Sequence, residues 1–156
     1  MNYAKFTPED FFKLDTSNFD EKEIQKALIA FYRKFIAPLF PDCVLIVNPF
    51  SSKVMTAKEM NRAKSQGFDP KQPDIIFIHP DQNGQNKIGL AIEVKKDGYE
   101  VFNIDGSLRE NKHLQEQSEV LHKLKRQGFR AVFGEGYKLS LLLITQYFNM
   151  NQNPYF

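Results

Sequence analysis

Two apolar stretches, Asp74–His79 and Ile88–Lys95, flank Asn83-Gly84, the strongest short hairpin signal in the chain. They constrain the fold more than any other feature. With Asn83-Gly84 at the centre of the connection, antiparallel partners sum to 167 in residue number, which sets Asp74 opposite Glu93. Directly opposed residues share a face, with Cβ atoms about 5 Å apart. The second stretch separates by parity. Ile88, Leu90, Ile92 and Val94 form a core face; Gly89, Ala91, Glu93 and Lys95 form the other. Two small residues followed by an acid and a base predict a concave site there rather than a solvated strand. Two facing carboxylates repel each other, and a hard divalent cation between them removes the repulsion.

The remaining pattern places helices around this pair. Asp20 with Glu23 resembles a capping box. Ile24, Ala27, Leu28, Phe31 and Phe35 then recur at helical spacing up to Pro38. Cys43–Val47 reads as a strand, Thr56–Gln66 as a helix stopped by Gly67, and Lys112–Gln127 as a helix closed by Gly128 at C′. A short strand over Phe129–Phe133, a Gly134-Glu135-Gly136 turn and a helix over Tyr137–Phe148 complete the chain. Residues 1–19 read as a lead-in, 97–111 as a loop with a short extended piece, and 149–156 as a loose tail. The order αβ(α)ββαβα predicts an α/β fold, with a small mixed sheet flanked by helices in a single domain over 1–156 whose core spans about 20–148.

Composition narrows the function classes. Lys and Arg number 21 against 19 Asp and Glu, a net charge of +2, so bulk charge alone does not supply nucleic-acid affinity. Fifteen Phe and six Tyr supply a core. The lone Cys43 excludes an intrachain disulfide or a cysteine-rich zinc site and predicts a reducing, cytoplasmic setting. No signal peptide or membrane span is expected.

Three further features point to chemistry. Gln117 falls near the middle of the stripe defined by Leu114, Leu121 and Leu124, where an amide needs polar partners. Glu21 lies closer than Glu23 to the apolar face of its helix. Basic residues cluster over 53–71 (Lys53, Lys58, Arg62, Lys64 and Lys71, against Glu59 and Asp69) and over 123–130 (Lys123, Lys125, Arg126 and Arg130). Such clusters suit phosphate positioning.

Pro73-Asp74, an 18-residue gap and Glu93-Val94-Lys95 resemble the PD-(D/E)xK nuclease signature. The stretch Ala63–Asp74, the strand Leu90–Lys95 and the later Glu116-Gln117 with its Leu-rich continuation resemble the virus-type replication-repair (VRR-NUC) branch, over roughly residues 20–135. The resemblance implies a restriction-endonuclease-like core and Mg²⁺-dependent endonuclease activity on DNA, with Mn²⁺ able to substitute. It implies Asp74 and Glu93 as metal ligands, joined by the Val94 carbonyl and a first-helix acid, Glu21 with Glu23 in reserve. Lys95 and Gln117 complete the catalytic set, and Lys64, Lys71, Lys123 and Arg126 the nucleic-acid contacts. A homodimer acting on branched or junction DNA is the implied assembly. The alternative is a catalytically silent nucleic-acid-binding or interaction module with the same fold.

Overall fold

The computed structural model describes residues 1–48, 56–66 and 71–150. Four strands, β1 (Val44–Val47), β2 (Ile75–Ile78), β3 (Gly89–Lys95) and β4 (Phe129–Glu135), form one sheet in the order β1-β2-β3-β4. The first three are antiparallel and β4 runs parallel to β3, so the sheet is mixed. The helices are α1 (Pro8–Lys13), α2 (Glu21–Phe31), α3 (Ala57–Ser65), α4 (Lys112–Arg126) and α5 (Tyr137–Tyr147).

The β2–β3 register follows the expected sum, with Ile75 opposite Ile92 and Ile78 opposite Gly89. Its cause is the buried alternation, because a one-residue slip would turn every apolar side chain to the wrong face. Residues 83–84 do not form a tight two-residue turn. The connection is instead a loop built on Asp81, whose carboxylate accepts N–H groups from Asn83 (3.2 Å), Gln85 (3.0 Å) and Lys87 (2.5 Å).

Both faces of β3 are covered. Leu90, Ile92 and Val94 pack with Ile24, Leu28 and Phe31 of α2 and with Leu141 and Ile144 of α5. Ala91 packs on the opposite face with Leu114 and Leu121 of α4, Ala131 and Phe133. All seven residues of β3 are therefore buried, and Glu93 with Lys95 is not a solvated strand pair. The small residues Gly89 and Ala91 admit neighbours rather than hollow out a cleft, which corrects the expected concave face. Ile88, assigned to the core by parity, precedes the strand and is half exposed.

Gly89 shows how close this packing is. A Cβ built there would stand 2.6 Å from Cδ1 of Phe129 and 2.7 Å from the carbonyl oxygen of Phe77. Gly89→Ala should therefore destabilise the chain by about 1–3 kcal/mol. Thermal denaturation checks this, and an unchanged melting temperature would mean that the strands separate to admit the methyl group.

The caps explain the helix starts. Asp20 and Glu23 bond each other's backbone N–H groups ahead of α2, and Thr56 and Glu59 do the same ahead of α3. Gly128 follows α4 with φ 95°. Past Phe31 the first long helix widens into a π-turn over Tyr32–Ile36, where the Ala37 N–H reaches the Tyr32 carbonyl at 2.9 Å. The lead-in contains α1, which buries Phe11. The expected Gly134-Glu135-Gly136 turn is corrected. Gly134 and Glu135 continue β4, because β3 still offers Val94 and Lys95 as partners, and only Gly136 (φ 88°) turns the chain into α5. The expected stop at Gly67, Lys53 and Asp69 of the first basic cluster, and tail residues 151–156 lie outside the described residues.

Candidate active site

Asp74 enters the sheet one residue before β2. The Asn48 N–H donates to its carbonyl at 2.9 Å, while Asn48 Nδ2 donates to the carbonyl of Gln72 at 3.1 Å. These bonds fix the backbone on both sides of Pro73. Opposite Pro73, which has no N–H, the β2–β3 ladder has ended. Oδ2 of Asp74 accepts the Val94 N–H at 2.7 Å. Val94 is thus joined to Asp74 through its N–H.

Glu93 stands beside Asp74 on the α4 face. Its Oε1 accepts from Lys95 Nζ at 3.1 Å and from Gln117 Nε2. Asp74, Glu93, Lys95 and Gln117 are each no more than 5% exposed. Burial, then the adjacent Asp74, push the Glu93 carboxyl up to about 8. Lys95 opposes this shift through its charge and its hydrogen bond, and Glu21 adds a smaller upward push. A carboxyl held so far above its ordinary range between a second acid and a lysine is an arrangement that proteins use at reactive centres.

The two acids at the start of α2 separate into different roles. Glu23 is held by the capping box with Asp20. Glu21, half-buried, is the one whose field reaches Glu93. Among the described residues, no three His, Cys, Asp or Glu side chains are gathered closely enough to form a metal cage by themselves. The donor set nonetheless fits a hard cation. Two carboxylates lie side by side, and the buried Oε1 of Gln117 finds no hydrogen-bond donor among the described residues.

The basic residues divide. Lys64 is exposed on α3, and Lys71 pairs with Glu116 of α4 at 3.5 Å. Lys123 and Arg126 share a groove along the last turns of α4. Two buried amides escaped the sequence reading. Gln25 lies one turn after Glu21 and is 5% exposed; Asn48 is 3% exposed. An amide beside the Ile24/Leu28 stripe is the same signal that singled out Gln117.

The sequence matches no protein-family model, and no curated protein matches it. Among solved structures, a VRR_NUC domain protein superposes with a TM-score of 0.59 at 24% identity, over 85% of this chain and 90% of its own. The chain has a VRR-NUC-like fold. The mixed four-stranded sheet between helices is thus a restriction-endonuclease-like core. Within this VRR-NUC-like fold, Asp74, Glu93 and Lys95 stand where β2 and β3 part, and α4 supplies Gln117. No helix among the described residues is long and apolar enough to cross a membrane.

Proposed function

We propose that the chain is a metal-dependent endonuclease that hydrolyses phosphodiester bonds in DNA. The observation that carries this reading is the buried group of Asp74, Glu93, Lys95 and Gln117, in which Glu93 is raised to about 8 by burial and its acidic neighbour. The VRR-NUC-like fold supports it.

Asp74 and Glu93 would hold Mg²⁺ or Mn²⁺, with Glu21 and the Val94 carbonyl contributing to its shell. When bound, the ion polarises the phosphoryl oxygen and makes bound water more acidic. The Val94 N–H keeps Asp74 oriented, and Gln117 keeps Glu93 oriented. Lys95 holds a positive charge 3.1 Å from Glu93, placed to stabilise negative charge that develops on the phosphate. Lys64, Lys71, Lys123 and Arg126 would position the backbone without reading bases. Branched or junction DNA is the proposed substrate, cut by a homodimer in the cytoplasm. Sedimentation tests the dimer.

Cleavage of supercoiled plasmid and of a four-way junction, with and without Mg²⁺ or Mn²⁺, tests the activity. Cutting that needs the ion is the expected result. One observation favours a silent binding module: Glu93 already shares a lysine and an amide on one oxygen in a closed site. That reading stands if no substrate is cut with either ion.

The basic residues give a separate check. Lys64→Ala and Arg126→Ala should weaken binding to every DNA sequence alike, and each should reduce the salt dependence by about one unit of slope. Binding titrations over a salt series measure this; an unchanged slope in both variants would leave these residues as mere surface charge.

A further inference from the structure

We infer that the groove between the finger over residues 101–108 and the outer face of α4 binds an unpaired nucleotide of the substrate strand, an inference that rests on the nucleic-acid reading above. Its base would lie against Phe102 and its phosphates along the cations of α4.

The finger follows β3 closely and is braced from within. Phe102 pairs with Leu108 across its base, and the Asn103 N–H reaches the Ser107 carbonyl at 2.8 Å. The Asp105 carboxylate accepts the Ser107 N–H at 2.9 Å and its hydroxyl at 2.6 Å. The Arg109 N–H closes on the Val101 carbonyl at 3.0 Å. This braced loop nevertheless holds apolar side chains in water. Phe102 is 42% exposed, with one edge against Phe133, and Ile104 at the tip is fully exposed.

Two cavities of about 450 and 460 Å³ lie between finger and helix and share Leu108, Ser118 and His122. They are adjoining compartments of one groove. The first has an apolar wall of Phe102, Leu121 and Phe133, with Lys125 at its rim. The second continues past Lys123 and Arg126, with Glu119 the acid among its lining residues. The two compartments thus combine aromatic and apolar surface with a row of cations. Unpaired nucleotides need that pairing of features, since stacking on an aromatic ring holds the base and a basic track holds the backbone. A base inside a duplex has its faces covered by its neighbours and cannot stack this way.

Helix α4 and the finger each connect the groove to the candidate active site. Helix α4 turns Gln117 inward to Glu93 and lines the groove with the next residue, Ser118. The finger is tied to the sheet where the Val101 N–H meets the carboxylate of Glu135, whose β3 partner is Lys95. The substrate class that the groove implies is DNA with a single-stranded portion, such as a flap or an open branch.

The test uses fluorescent oligonucleotides with Ca²⁺ in place of Mg²⁺: a single strand, a duplex, and the same duplex carrying a single-stranded flap, read by anisotropy. The intact protein should bind the single strand and the flap more tightly than the plain duplex. Phe102→Ala should weaken both by about tenfold, a typical loss for one stacked base, and leave the duplex unchanged. Phe102→Trp should restore binding. Lys125→Ala should lower the salt slope on the single strand by about one. An unchanged melting temperature for Phe102→Ala shows that the fold is intact. Equal loss on all three substrates, or none, overturns the groove. A change of sedimentation in Phe102→Ala also overturns it, by marking the patch as a contact between copies. If the intact protein binds no nucleic acid, the nuclease reading fails as well. If it cuts plasmid DNA while Phe102→Ala keeps the parent's preferences, the groove alone fails.

Discussion

Glu93→Gln should melt at a higher temperature than the parent chain at pH 8, match it below pH 4.5, and lose metal-dependent cleavage. Glu93 titrates near 4.5 when exposed and is pushed up to about 8 in the fold. Folding therefore retains a proton that the unfolded chain releases between these values. The stabilising effect of that proton is fully present below 4.5 and is lost as the pH rises through 8. Each unit of pH removes up to about 1.4 kcal/mol. Over the whole window the loss is about 4 kcal/mol, or roughly 8–16 °C of melting temperature in a chain of this size. A glutamine keeps an oxygen that can accept from Lys95 and Gln117 and carries no titrating proton. Its melting curve should stay flat where the parent's declines. Melting temperatures measured from pH 4.5 to 8 for both proteins check this, and parallel curves would mean that Glu93 is not the titrating group. The same measurements address the cation. Mg²⁺ binds the ionised pair and should raise the parent's melting temperature most at pH 8. It should leave the variant's nearly unchanged.

Lys95→Ala should lower the cleavage rate by on the order of 10²-fold or more, judged from the loss of other preorganised charge-stabilising donors. Lys95 is held against Glu93 in the ground state. Its ammonium does most where charge builds up as the phosphodiester is attacked. An interaction made mainly in the transition state affects turnover rather than ground-state binding. Single-turnover cleavage in Mg²⁺ and binding to uncleaved DNA in Ca²⁺ separate the two, with affinity expected to change far less than rate. Because Lys95 also pulls the Glu93 carboxyl down, the variant's stability should go on falling to higher pH than the parent's. A Lys95 effect confined to affinity would favour the silent binding module.

The parts of the fold that were legible in sequence are those set by local chemistry. Asp20 with Glu23 located the start of α2, and Gly128 the end of α4, because caps satisfy nearby backbone groups. The β2–β3 register was legible because apolar alternation admits one pairing without exposing the core. The juxtaposition of Asp74, Glu93 and Lys95 followed from that register, and the position of Gln117 followed from its place in a leucine stripe. Long-range packing was not legible. Parity shows which side a residue takes, but not that Phe129 would lie against Gly89 or that α4 would lie over Ala91 and close the site. Asn48 was missed because its role is to hold the backbone around Pro73, more than twenty residues away. Gln25 carries the same signal as Gln117, an amide set beside the Ile24/Leu28 stripe of α2. Residues 97–111 read as a loop with a short extended piece, and the bracing of the finger over 101–108 was not legible because it depends on Asn, Asp and Ser side chains that also populate unstructured turns.

The β2–β3 connection has an engineering consequence. Its tip, residues 82–86, is exposed and turns on Asp81, at the far end of the strands from Asp74 and Glu93. Strand register is held by buried side chains rather than by the number of residues in the connection. Loop length and the geometry of the reactive group are therefore separate variables: evolution can lengthen the loop, or an experimenter can graft a reporter into it, without moving the carboxylates relative to each other.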